Sequence, residues 1–486
     1  MSIYHDHNFG LYIAGKWSWG NGNAKKPVLD PATESVIGHI TDATAEDIED
    51  ALAAAECGFK VWSKVAPWER GEKLRKVGDL LLSRIEELSV AMSTEAGKPL
   101  DESRGEWIAC AEQFIWYAEE AKRIFGQTYQ GRDGATRMAV IYQPVGVVAA
   151  FSAWNFPALL PARKIAAALA AGCSIVLKPA GETPACAAAI VRACHDAGIV
   201  AGVVNMVTGN SSRIAAQLIA SPVVRKVSLT GSTSVGKQLL RLCADGVKKV
   251  TMELGGHAPV VVFEDTDIDV AAEACARAKF RNCGQVCASP SRFYVQESAY
   301  DRFATKFAEV AGTLKIGRFD EPDVNFGPMA NSRGLAHAKR LVSDAVARGA
   351  TLVAGGRPPS SKARGFFFEP TILGEVPDDA AIMQEEPFAP IAPIARFRTF
   401  DEVIGRANAT PFGLTGYVFS RNITTATLAA EALEVGMVGV NEVSIASAEA
   451  PFGGIKESGM GREGGSLGIK DYLDAKFIKT RLPASS

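Results

Sequence analysis

Residues 145–154 read VGVVAAFSAW, and this apolar run passes into an alanine-rich stretch of helical pattern that reaches Ala171. SIVLKPA at 174–180 repeats the arrangement. Another helical stretch follows, then VVNMVTG at 203–209, VRKVSLTG at 224–231, a helix beginning near Thr233, and KKVTMELGG at 248–256. Strand-length runs alternating with helices are the rhythm of β-α-β units. Residues 145–254 therefore predict a parallel sheet covered by helices, and such sheets bind ligands at the C-terminal ends of their strands.

Downstream, a second alternating region opens at APVVVF (258–263), continues through a helix near 269–281, and includes the strand-like SRFYVQ, FFFEPTIL, PIAPIARF and GMVGVN. It predicts a second α/β domain. Upstream, residues 44–124 carry apolar residues at three- and four-residue spacing, the pattern of amphipathic helices that cover a sheet. TRMAVIYQP (136–144) and KDYLDAKFIKT (470–480) read as isolated strands apart from both cores, and strands without a local partner point to an oligomerisation flap. The boundaries drawn are 1–124 with 141–254 for the first domain, 255–440 for the second, 125–140 with 470–486 for the flap, and 441–469 as a return to the first domain's side.

A chain of 486 residues is too long for one ordinary core. Its 52 basic and 54 acidic residues nearly cancel, and no run of like charges offers a platform for a phosphate backbone, which argues against nucleic-acid binding. Charges interrupt every apolar stretch before the roughly 20 residues needed to span a bilayer, which argues against a membrane protein. The opening MSIYHDHNFGLYIAGKW has no basic segment before an apolar one and is poor in Arg and Ser, so the expected location is the cytoplasm. The nine cysteines are odd in number and scattered, unlike a disulfide framework. His5 and His7 lie in the terminal stretch, the other four histidines stand alone, and no metal-ligand spacing occurs, so no metal is expected.

Several residues could carry chemistry. Cys287 lies in RNCGQVCASPSR, where Gly284 and Ala288 leave space and a helical pattern gives way to a Pro-containing loop. Taken alone it reads as a small buried hydrophobe more readily than as a nucleophile; Cys283, four residues earlier, reads as a packing neighbour or redox partner. Glu253 sits where a strand-like run ends at paired glycines, so its carboxylate emerges where α/β catalytic groups collect, able to deprotonate a thiol or activate water. Asn155, between a strand and a helix, is either a helix cap or an oxyanion donor. Lys178 follows a strand and could grip ribose hydroxyls. Gly231 and Ser232 open the helix of LTGSTSVGK, where backbone N–H groups suit a phosphate, although the segment matches neither GxGxxG nor the P-loop.

Taken in order, AWNFP, LKPA, LTGSTSVGK, ELGGHAP, GQVC, EEPFAP and APFGGIKESGMGREG resemble the aldehyde dehydrogenase superfamily over nearly the whole chain. The resemblance implies an α/β aldehyde dehydrogenase-like fold with a Rossmann-type cofactor domain, a second α/β catalytic domain and a β oligomerisation flap, assembled as a homodimer or homotetramer. It assigns Cys287 as nucleophile, Glu253 as general base for the hydrolytic water and Asn155 as the side-chain oxyanion donor. It also implies that Lys178 holds the adenosine ribose, Ser232 and Trp154 the pyrophosphate and Glu386 the nicotinamide ribose, with Phe452 near the nicotinamide. Ala389 departs from the glycine usual in EEPFAP, with only a local adjustment expected. Gly181 stands where NAD-preferring members often carry a glutamate, so NADP is tolerated, with Glu182 next door able to restore part of the repulsion. The expected cofactor is NAD or NADP.

The chain is especially similar to succinate-semialdehyde dehydrogenases around RNCGQVC, WNFPALLPARK and GREGGSLGIKDYL. That similarity implies that Arg163, eight residues after Asn155, and Arg281, six before Cys287, bind a substrate carboxylate, with Ser447 adding a hydrogen bond. Ser289 stands two residues after Cys287, where some relatives carry a second cysteine, so their disulfide switch cannot form at that spacing. The expected reaction is oxidation of succinate semialdehyde to succinate through a thiohemiacetal and thioester. Glutarate or 2-oxoglutarate semialdehyde are alternatives, followed by a CoA-acylating enzyme or a silent structural relative.

Overall fold

In the computed structural model, which describes residues 9–483, the apolar runs of 145–254 form the centre of an eight-stranded sheet. Its order is Gly459–Met460, Lys249–Glu253, Val224–Thr230, Val147–Phe151, Ser174–Lys178, Val204–Met206, Leu11–Ile13 and Lys16–Ser18. The five strands between 147 and 253 run parallel, and Val147–Phe151 and Ser174–Lys178 are buried at every position. Burial on both faces is why they read as unbroken apolar runs rather than as an alternation. The registers Phe151↔Lys178, Leu229↔Phe151 and Thr230↔Glu253 bring the strand ends to one edge. In chain order the first three strands build outward from Val147–Phe151 on one side and the next two on the other. The order therefore reverses between Val147–Phe151 and Val224–Thr230, opening the crevice in which such sheets bind ligands.

A second sheet of seven strands follows the order Thr351–Ala354, Thr371–Gly374, Ile391–Phe397, Pro290–Gln296, Ala258–Val262, Thr415–Phe419 and Met437–Val440. Only the first pairing is antiparallel. FFFEPTIL is a strand only from Thr371. Phe366, Phe367 and Phe368 are buried in an irregular segment whose backbone bonds go to loops, Phe366 N–H to Pro31 O at 2.9 Å and Met329 N–H to Phe366 O at 3.0 Å.

The two strands expected to be isolated pair with each other. Thr136–Pro144 and Leu473–Arg481 run antiparallel from Leu473↔Pro144 to Arg481↔Thr136, and Gln127–Gln130 pairs on the other edge of Thr136–Pro144. This three-stranded unit continues to Pro144, four residues past the boundary drawn at 140. His5 and His7 lie outside the described residues. Among those described, no helix is long and apolar enough to cross a membrane.

Four helices, Ala45–Trp62, Pro67–Ser83, Ile85–Ala96 and Leu100–Glu120, precede the five parallel strands of the first sheet. The first opens on a capping box between Thr44 and Asp47. At its other end fully buried Trp62 donates its indole N–H to Leu169 O at 2.9 Å, tying this helix to the Leu159–Ala171 helix on the sheet. Trp62→Phe keeps most of the apolar volume but removes this tie between the helices, leaving Leu169 O with the Gly172 N–H alone, at 3.1 Å. It should cost about 1–2 kcal/mol, read as a lowered urea midpoint with unchanged cooperativity.

Candidate active site

Cys287 reaches its position through a left-handed turn. The Ile268–Phe280 helix ends, and Asn282, Cys283 and Gly284 take φ values of 49°, 54° and 71°. Non-glycine residues persist in that region only when their surroundings hold them. The Asn282 side chain donates to Asn155 O at 2.9 Å and Gln285 O at 3.1 Å, its backbone N–H donates to the Glu102 carboxylate at 2.8 Å, and Gln285 donates from its amide to Asn282 O at 3.1 Å. Gly284 is required twice over, because a Cβ there would lie 2.2 Å from Ala389 O. Asn155, buried, donates one amide N–H to Gln285 O at 3.2 Å, which leaves the second for another acceptor. Cys283 packs in the core of the second sheet, whereas half-buried Cys287 opens into a cavity.

That cavity, about 680 Å³, lies at the crevice of the first sheet. Trp154, Asn155, Lys178, Gly181, Gly231, Ser232, Cys287 and Glu386 line it, together with Ser211, Ser212, Arg333 and His337, which sequence reasoning did not single out. Lys178 donates to Ser211 Oγ at 2.6 Å, and burial lowers its pKa to about 8 against the pull of Glu182. Ser232 caps the Thr233–Ala244 helix, whose N-terminus faces the cavity. The paired glycines after Glu253 have separate duties. A Cβ on Gly255 would lie 2.5 Å from Glu386 Oε2, and one on Gly256 would lie 2.5 Å from the Cys287 carbonyl oxygen. Gly256 N–H also donates to Glu386 Oε1 at 2.9 Å, and burial raises that carboxyl to about 7. The lysine, the helix N-terminus and the carboxylate fit the ribose, pyrophosphate and second ribose of a dinucleotide. The Ala389 methyl points into the apolar core, so replacing the usual glycine changes no cavity wall.

Behind the nucleophile stand charges without partners. Glu253 ends its strand fully enclosed, and neither carboxylate oxygen has a hydrogen-bond partner. Burial, reinforced by Glu463, pushes its pKa well above the usual carboxylate range, with Lys164, Arg163 and Arg462 opposing. Gly453 makes the room, since a Cβ there would lie 2.7 Å from Glu253 Oε1. Glu463 is itself buried in an ion pair with Lys164, whose ammonium also donates to Thr230 Oγ1 at 2.8 Å and Ser228 Oγ at 3.2 Å. The only sequence signal for this pair was a lysine inside an alanine-rich helix. Burial likewise raises the Cys287 thiol to about 12, helped by Glu386 and Glu253 and opposed by Arg163.

The sequence model of the aldehyde dehydrogenase family matches residues 17–478. The chain belongs to the aldehyde dehydrogenase family. It is 45% identical over 468 residues, 96% of each chain, to a glutarate-semialdehyde dehydrogenase of Pseudomonas putida. It is 43% identical, over 96% of each chain, to the NADP+ succinate-semialdehyde dehydrogenase GabD of Escherichia coli. The crystal structure of a succinate-semialdehyde dehydrogenase from Burkholderia pseudomallei superposes with a TM-score of 0.96, at 41% identity and covering 98% of each chain. This is an NAD(P)-dependent aldehyde dehydrogenase.

In this aldehyde dehydrogenase Arg163 is buried, its guanidinium stacks 4.1 Å over the Phe452 ring, and its Nε has no partner. Arg281 is exposed, 5.4 Å over the Phe156 ring, and Ser447 is half-buried. None of these three lines the dinucleotide cavity. Neither does Phe452, which was expected near the nicotinamide and here exchanges backbone hydrogen bonds with Glu463 beneath Arg163. Gly256→Ala should displace the Cys287 backbone and lower kcat on the order of 100-fold while the enzyme stays folded. Steady-state kinetics alongside the rate of Cys287 alkylation by iodoacetamide checks this.

Proposed function

We propose that the enzyme oxidises a short aldehyde carrying a distal carboxylate, succinate or glutarate semialdehyde, to the dicarboxylate. The observation that carries this reading is the buried, unpartnered Nε of Arg163 close enough to Cys287 and Glu253 to act on both electrostatically. A buried guanidinium N–H without an acceptor calls for an anionic ligand to supply one. Arg281 at the surface and half-buried Ser447 complete a carboxylate grip.

The Cys287 sulfur attacks the aldehyde carbon, and the second amide N–H of Asn155 with a backbone N–H receives the oxyanion. NAD+ or NADP+, when held in this cavity, would supply the hydride acceptor. Glu253 then takes a proton from water as the oxygen adds to the thioester carbon, the carbon–sulfur bond breaks, and the acid and the thiol are released. Lys178 holds the adenosine ribose, Ser232, Gly231 and Trp154 the pyrophosphate, and Glu386 the other ribose. A Cβ at Gly181 would meet only the end of Ile40, at 3.4 Å, and Glu182 is engaged by Arg333 at 3.5 Å, so both cofactors are accepted.

The eight-stranded sheet serves as cofactor domain, the seven-stranded one as catalytic domain, and the three-stranded flap joins copies into a homodimer or homotetramer. Phe125 and Phe477, 73% and 58% exposed at the flap, support the last point. All nine cysteines are unpaired, which supports a reducing compartment such as the cytoplasm.

Cys287→Ala should abolish aldehyde-dependent NAD(P)H formation. Arg163→Leu should raise KM for the semialdehyde acids about 10- to 100-fold without raising KM for uncharged aldehydes of equal length, while loss of its charge near Cys287 lowers kcat for both classes; equal use of both classes by the parent enzyme would refute the carboxylate grip. Because the Glu253 pKa is raised, its base form grows only as pH rises above the usual carboxylate range, so deacylation should accelerate with pH there. Glu253→Gln should keep a single-turnover burst of reduced cofactor and lose this pH-dependent turnover.

A further inference from the structure

The Leu100–Glu120 helix reads as sheet cover, yet two of its carboxylates, one turn apart, reach the loops that carry the reacting groups. Glu106, fully buried and paired with buried Lys98, accepts the backbone N–H groups of Ala158 at 2.8 Å and Leu159 at 3.1 Å. These open the helix after Asn155, which has no side-chain cap of its own. Glu102 accepts the backbone N–H of Asn282 at 2.8 Å, the first residue of the left-handed turn that delivers Cys287. The two loops also hold each other, through Asn282 to Asn155 O at 2.9 Å and Asn155 to Gln285 O at 3.2 Å. One loop belongs to each sheet, and the helix is a third body gripping both at points about 6 Å apart along its axis. Burial raises the Glu102 carboxyl, and Lys98 and Arg281 oppose that rise, so cations stand on its flanks.

We propose that Glu102, backed by Glu106 on the next turn, is a positioning residue that sets the separation between the Asn155 amide and the Cys287 sulfur. The proposal rests on the reading of Asn155 as oxyanion donor. Loss of the Glu102 acceptor frees a strained turn, so Glu102→Ala should lower kcat about 10- to 100-fold, with cofactor KM within about twofold and the thermal midpoint nearly unchanged. Glu102→Gln, whose amide oxygen still accepts the Asn282 N–H, should recover most of the rate. In an Asn155→Ala background, Glu102→Ala should cost less than about twofold more, because the geometry it protects is already lost. An equal loss in both backgrounds, or no recovery in Glu102→Gln, overturns the positioning role while leaving the oxyanion reading intact. Full activity in Asn155→Ala alone removes the oxyanion reading and the proposal with it.

Discussion

The turn at Asn282, Cys283 and Gly284 is the constraint on which the site depends, because without it the chain leaving the Ile268–Phe280 helix would not bring Cys287 to the crevice of the other sheet. Two non-glycine residues in the left-handed region cost roughly 1–2 kcal/mol each. Against this stand five hydrogen bonds that Asn282 makes through its backbone and side chain, at about 1 kcal/mol each. The terms nearly cancel, so the turn exists because its neighbours hold it. Those neighbours come from the Glu102 helix and the Asn155 loop, and the Gly284–Ala389 approach adds the loop of Glu386. Cys287, Asn155 and Glu386 are thus registered to one another through a single strained turn.

Around that turn the enzyme collects polar groups that an ordinary core would satisfy. Both oxygens of Glu253, Nε of Arg163, Nζ of Lys279 and one oxygen of Glu463 are buried without partners. Each such group costs about 1–3 kcal/mol, more when charged. Arg163 acts on both Cys287 and Glu253, so in the proposed mechanism the unpartnered groups of Arg163 and Glu253 are the ones that substrate and water complete. Lys279 belongs to the same pattern: burial lowers it to about 7, and its nearest opposing charge, apart from the Cys283 thiol, is Glu386.

The parallel sheet was legible because strands buried on both faces read as apolar runs, and Cys287, Glu253, Asn155 and Lys178 were legible because each follows a strand end or a helix break. The flap pairing was not, since Thr136–Pro144 and Leu473–Arg481 meet across most of the chain and no local pattern encodes that partnership. FFFEPTIL misled for a related reason: aromatic residues favour strands, but here they fill a core while their backbone bonds to loops. Glu102, Lys164 and Glu463 were missed because an isolated charge in a helical or glycine-rich stretch looks like a solvated face until the packing shows it enclosed. In sequence Gly255 and Gly256 mark only the end of a strand; their requirement is space for Glu386 and for the Cys287 carbonyl.

The electrostatics of Cys287 and Glu253 also order the chemistry in time. In the proposed mechanism Glu253 raises the Cys287 pKa, so a thiolate forms less readily beside an ionised Glu253. Attack on the aldehyde needs charge on sulfur, and with Glu253 held in its acid form that charge faces one carboxylate fewer and the Arg163 guanidinium. Once the sulfur is acylated it carries no charge, and its repulsion of Glu253 ends. The carboxylate needed to activate water becomes easier to form at the moment it is required. The sulfur's negative charge leaves with the hydride and the carboxylate's arises separately as Glu253 gives up its proton, so in the proposed mechanism the two buried ions serve successive halves of the reaction.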